Sequence, residues 1–405
     1  MVFASFFRGT VVRHLCGLLL ILVVFPEIRA ADGTGPWNLP QLKQTPAAEF
    51  GPVDGLVRPV HYSGEPYQGK PTRIFAWYAQ PAGAGPFPGV VLVHGGGGKA
   101  FREWAQHWAE RGYAALAMDL AGHGPDGRLP DGGPDQSDES KFRAFEADGA
   151  GDMWSYHAVA AVIRGHSLLA AQPSVDATRI GITGISWGGY LTCIVAGLDD
   201  RLQAAVPVYG CGFLADNSVW TQPRFEPMSV ELRERWLTHF DPSSYLRQVR
   251  CPILFLNGTN DFAYPLDSYR KSYELVQPSL RTLSVIPRLP HGHIWTFPEV
   301  DLFMDSCLRG GKPLAKVGPL QQTDDTVHAS LESAVEIKDA QLHYTTDAGP
   351  WQKREWRATA AKLGGDTVSA QLPAEATAWY LAVRDTRDLT ISSNHLERST
   401  AGPPQ

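Results

Sequence analysis

The chain predicts a doubly wound, mostly parallel α/β sheet followed by a small antiparallel β-domain. Three observations carry this. Short, continuous apolar runs recur between residues 57 and 320, segments with helical spacing separate them, and near residue 320 the pattern changes to short alternating strands broken by turns. A continuous apolar run is what a strand covered by helices on both faces requires, and strands alternating with helices build a parallel sheet.

The elements follow in order. Residues 1–30 have the form of a targeting segment: Arg8, Arg13 and His14 precede the apolar run LCGLLLILVVF, and Ala30 ends a candidate cleavage site at Ile28-Arg29-Ala30. That run has 11 residues, short for a membrane span, which takes roughly 20. An exported protein, periplasmic or secreted, without stable membrane insertion after cleavage is therefore expected. Residues 31–56 are an extended lead-in rich in Pro and polar residues. Residues 73–79 alternate as an outer strand does, and 90–93, 113–118, 179–183, 204–208, 252–256 and 282–286 are the buried strands. Phe101, Trp104, Ala105 and Trp108 share one helical face, 153–171 is a long helix, and Val300, Phe303, Met304, Cys307 and Leu308 mark a closing helix. Residues 57–320 thus make one α/β domain. In 321–405, Val335, Ile337, Trp379, Leu381 and Val383 alternate with polar or small residues, the pattern of a β-sandwich-like accessory domain. The proposed chemistry all precedes residue 320, so this domain is expected to be dispensable for it.

Composition excludes little but points away from nucleic acid: 36 basic against 42 acidic residues leave a net charge of −6, with no basic patch.

The chemistry begins with Gly184-Ile185-Ser186-Trp187-Gly188-Gly189, which follows the strand 179–183 and precedes a helical stretch at 190–198. In that setting G-x-S-x-G holds a serine out on a sharp turn, and the small flanking residues let the backbone pack closely. His94-Gly95-Gly96-Gly97-Gly98 follows the strand 90–93. Acyl transfer develops an oxyanion that needs preorganised N–H donors. Trp187 and one of Gly96 and Gly97 are the candidates.

A serine alone is a weak nucleophile and needs an imidazole base oriented by a carboxylate. Asp261 lies in the polar turn after 252–256, and Pro290-His291-Gly292-His293 follows the last buried strand. Asp119 also ends a strand but precedes the serine, and is expected to bond its own loop. Gly292 gives the backbone before His293 freedom that Pro290 denies His291. The expected triad is therefore Ser186, Asp261 and His293, with His291 as the alternative base. Tyr209 and Trp220, beyond the strand 204–208, are candidate substrate contacts. His107, His157 and His166 are expected at the surface or core edge. His291 and His293 lack companion ligands at metal-site spacing, so neither metal nor other cofactor is expected.

With these motifs in place, residues 55–312 resemble the dienelactone hydrolase and acetyl xylan esterase-like branch of the α/β-hydrolase superfamily. The resemblance rests on PGVVLVHGGGG, MDLAGHG, VDATRIGITGISWGGYLT, VPVYGCGF, PILFLNGTND and PHGHIW. Within that branch the chain looks like bacterial exported proteins whose hydrolase is followed by a small β-domain. The resemblance implies an α/β-hydrolase fold and hydrolysis of carboxylic esters, often acetyl esters of carbohydrates. One departure matters: dienelactone hydrolases use a cysteine nucleophile where this chain has Ser186, so dienelactone is not the expected substrate. In such a fold Cys211 and Cys251 fall at opposite edges of the sheet, and Cys193 and Cys307 on opposite faces. All four are therefore expected unpaired.

Two other functions compete. A serine peptidase of the prolyl-oligopeptidase type shares triad and fold but usually carries an N-terminal propeller, which the short lead-in cannot form. A non-catalytic binding module on a hydrolase scaffold would be expected to lack part of the triad.

Overall fold

The computed structural model describes residue 1 and residues 33–398, apart from 147 and 296. The predicted signal segment, Met1 aside, lies outside the described residues.

The central sheet takes its strands from nearly every expected run: β1 (Ala48–Phe50), β2 (Val57–Ser63), β3 (Arg73–Ala79), β4 (Phe87–Val93), β5 (Ala114–Met118), β6 (Val175–Ile185), β7 (Ala204–Val208), β8 (Ile253–Gly258) and β9 (Arg281–Ile286). Their order is β1-β2-β3-β5-β4-β6-β7-β8-β9, parallel from β5 onward. The parallel strands are the apolar ones. β5, β7 and β8 are buried at every position.

The order reverses at β4, which has β5 on one side and β6 on the other. A reversal of this kind opens a crevice at the carboxyl ends of the strands, where ligands bind. Val93 pairs with Gly184, so the glycine run after β4 and the turn carrying Ser186 leave the sheet side by side.

Helices α1 (Arg102–Glu110), α2 (Asp138–Phe142), α3 (Trp154–Ala170), α4 (Trp187–Leu198), α5 (Val230–Phe240), α6 (Leu266–Glu274) and α7 (Pro298–Leu308) connect and cover the strands. α3 packs across β4, β5 and β6 and is buried on most of its circumference, as its mostly apolar sequence requires. His166, expected near the surface, is fully buried on this helix, its Nδ1 2.8 Å from Asp199. A hydrogen-bonding partner is what makes that burial tolerable.

Beyond residue 320 the strands are antiparallel: β10 (Thr326–Glu332), β11 (Ile337–Thr345), β12 (Trp356–Ala360), β13 (Thr367–Gln371), β14 (Ala378–Asp385) and β15 (Thr390–Ser392). β15 pairs antiparallel with β9, Leu283 opposite Ser392, and β14, β11 and β12 follow, continuing the central sheet. β10 and β13 belong to a second small sheet. Trp351 packs in one apolar cluster with Leu266 and Val285, burying the junction. Among the described residues no helix is long and apolar enough to cross a membrane. Cys193, Cys211, Cys251 and Cys307 are all unbridged.

Candidate active site

Ser186 occupies the turn between β6 and α4 with φ 60° and ψ −119°. A positive φ on a residue with a side chain is strained by about 1–3 kcal/mol. The turn is held by Ser186 N–H donating to Val208 O (2.9 Å) and by Tyr190 N–H donating to Ser186 O (2.9 Å). Only glycine fits at 184 and 188, because a side chain at 188 would strike the Val93 carbonyl and one at 184 the carbonyl of Gly188.

Asp261 is buried past the end of β8. Its Oδ1 accepts from the N–H groups of Ala263 (2.9 Å) and Tyr264 (2.8 Å). Its Oδ2 lies 2.6 Å from His291 Nδ1. The ring that meets the acid is thus His291, not His293 as the loop's sequence had suggested. The reason is where the loop turns: Arg288 takes the left-handed conformation (φ 51°), and Gly292 does not. The His291 imidazole is packed between Tyr209, stacked at 4.4 Å, and Phe262 at 4.7 Å.

Tyr209 is itself at φ 63° and fully buried, and its hydroxyl donates to Pro290 O at 2.8 Å. It therefore backs the imidazole and does not line the cavity. Trp220 does line the cavity.

His293 meets the glycine run: its Nε2 accepts the Gly95 N–H at 3.0 Å. Burial holds its pKa below the ordinary value, and that nitrogen must be unprotonated to accept. His94 holds the same loop from inside. Burial pushes its pKa down to about 4, so its ring is neutral, with Nδ1–H donating to Gly95 O (2.7 Å) and Nε2 accepting from Leu120 N–H (2.9 Å). With Gly95 fixed at both its N–H and C=O, the next amides are preorganised. Among the described residues no acceptor meets the N–H of Gly96, Gly97 or Trp187. Such free donors beside a serine hydroxyl are what a developing oxyanion would require.

Ser186, Trp187, Gly96, Gly97, His291 and His293 share the wall of one cavity of about 410 Å³ with Trp220, Phe262, Asp138 and Lys141. Asp119, as expected, bonds its own loop through Ala121 N–H (2.9 Å) and His123 N–H (2.7 Å). Among the described residues no group of three or more His, Cys, Asp or Glu side chains gathers as a metal site would require.

Three contributors were not singled out in the sequence. Asp138 and Lys141 come from the polar insertion after β5. Asn260, beside the acid, donates to the carbonyls of Trp351 (3.3 Å), Gln352 (3.3 Å) and Arg354 (2.7 Å), tying the Asp261 turn to the antiparallel strands. The only available signal was the run of polar residues after β8.

The acetyl xylan esterase (AXE1) family model matches residues 42–244, half of the chain. The chain belongs to the acetyl xylan esterase family. That span includes Ser186 and the glycine run and ends before Asp261 and His291. Among curated relatives of this family member, the acetyl esterase Axe7A of Xylanibacter ruminicola is 25% identical over 247 residues, 56% of this chain and 54% of the relative. The chain thus spans about half of that relative's length. A putative carboxymethylenebutenolidase of Methylorubrum extorquens is 24% identical over 222 residues, 54% of this chain and 67% of that protein. The acetyl xylan esterase structure from Paenibacillus sp. R4 superposes with TM-score 0.55 at 22% identity, covering 68% of this chain and 92% of that one. The acetyl xylan esterase 1 structure from Thermoanaerobacterium sp. JW/SL YS485 gives 0.53 at 19%, covering 69% and 96%. These likenesses show the α/β-hydrolase fold.

Proposed function

We propose that this acetyl xylan esterase family member is a serine carboxylic-ester hydrolase acting on short acyl esters, acetyl above all, of hydroxylated or carbohydrate alcohols. The observation that carries the reading is that His291, held from behind by the buried Asp261, lines one cavity with Ser186, Gly96 and Trp187, the last two with free amides. His291 Nε2 takes the Ser186 proton as Oγ attacks the ester carbonyl, and Asp261 steadies the imidazolium. The amides of Trp187 and Gly96 hold the oxyanion. When the tetrahedral intermediate collapses, the alcohol leaves with the proton from His291, and Ser186 keeps the acyl group. A water, deprotonated by His291, then attacks the acyl-enzyme, releasing the acid and restoring Ser186.

In this reading His293 positions the glycine run and is not the base. The N-terminal segment supports export, and no nucleic acid, metal or cofactor is assigned to the chemistry.

The test is a panel of p-nitrophenyl esters and acetylated sugars, with a peptide p-nitroanilide alongside. Ester turnover that Ser186→Ala lowers on the order of 10⁴-fold is expected. Faster cleavage of the anilide, or Ser186→Ala activity within tenfold of wild type, would count against the reading.

A further inference from the structure

The insertion that ends in α2 puts a donor and an acceptor into the cavity wall. Lys141 is only 3% exposed. Its ammonium lies 4.8 Å from the centre of the Trp187 ring and 5.5 Å from that of Trp154. Its hydrogen bond goes to Asp138 Oδ1 at 3.4 Å, beyond the usual range for such a bond. An ammonium carries three donors, and this long bond with the two indole faces leaves it room for a further acceptor. Asp138 is in turn held by Arg224 Nε at 3.3 Å, so its carboxylate has a fixed place on the rim. Trp187 and Trp220, 4.6 Å apart, form the apolar wall beside the pair.

The group that satisfies both side chains at once is a hydroxyl, which accepts from Lys141 and donates to Asp138. A carboxylate would satisfy Lys141 but meet Asp138 as a like charge. An alkyl chain would satisfy neither. An acetyl group has no hydroxyl, so the hydroxyl belongs to the alcohol.

We propose that Lys141 and Asp138 form a specificity subsite selecting esters whose alcohol portion carries a free hydroxyl. This deepens, and rests on, the reading of Ser186 as nucleophile.

The experiment compares kcat/KM for ethyl acetate, 2-hydroxyethyl acetate and acetoxyacetate, each divided by its rate of hydroxide-catalysed hydrolysis. The wild type is expected to favour 2-hydroxyethyl acetate over ethyl acetate by about tenfold, the scale of one or two hydrogen bonds. Lys141→Met and Asp138→Ala should each bring that ratio toward one. Asp138 is the more exposed of the two and gives the answer even where Lys141→Met fails to fold. A wild-type ratio of one, a ratio unchanged in both variants, or a preference for acetoxyacetate would overturn the subsite. Turnover of none of the three esters, with Ser186→Ala indistinguishable from wild type, would overturn the nucleophile reading along with it.

Discussion

Asp261 Oδ2 and His291 Nδ1 lie 2.6 Å apart, with the carboxylate's other oxygen saturated by two backbone N–H groups. The acid is therefore fixed in place and accepts the imidazole Nδ1–H, which leaves Nε2 unprotonated, as the proposed base requires. Asp261→Asn should keep the fold and lower kcat by about 10⁴-fold, because the amide favours the wrong tautomer. Steady-state kinetics beside circular dichroism check this. A folded variant with near-normal kcat would show that the pair is structural only.

The turn that carries Asp261 is braced from the antiparallel strands by Asn260, which donates to three carbonyls of the 351–354 segment. Asn260→Ala should lower kcat about tenfold with little change in KM, and lower stability by about 1–3 kcal/mol. A stability loss with unchanged kcat would mean the brace serves folding alone.

Stability should fall in mild acid. His94 has an ordinary value of 6.5, lowered by burial to about 4 in the fold. As pH drops below 6.5 the unfolded chain takes up a proton that the folded ring refuses. The contribution is therefore complete above that value and is lost as pH falls toward 4, by about 3 kcal/mol in all. His157, also lowered to about 4 by burial, acts in the same direction. Urea midpoints between pH 7 and 4.5 should fall less steeply for His94→Gln than for wild type. Equal slopes would remove His94 from the account.

The parallel strands, the Ser186 turn, the glycine run and Asp261 were legible in the sequence, because each depends on local pattern: apolar runs, turn glycines and the chain order of strands. The choice between His291 and His293 was not. Both rings hang from one short loop, and which of them faces Asp261 depends on the turn at Arg288 and on Tyr209 packing behind His291, neither of which is a local signal. The edge pairing of Leu283 with Ser392 was hidden for a related reason: β15 is 3 residues long and joins the sheet across a large sequence separation. Lys141 sits in a polar insertion whose charges look like solvent-facing ones, yet α2 turns it under Trp187.

The most direct test of the whole account compares kcat on p-nitrophenyl acetate for His291→Ala and His293→Ala. Loss of the proposed base should cost His291→Ala on the order of 10⁴-fold. His293→Ala, which frees the Gly95 N–H but leaves the base in place, should fall by about 10- to 100-fold. If His293→Ala loses several orders of magnitude while His291→Ala keeps most of its turnover, the Asp261–His291 pair is not the catalytic one.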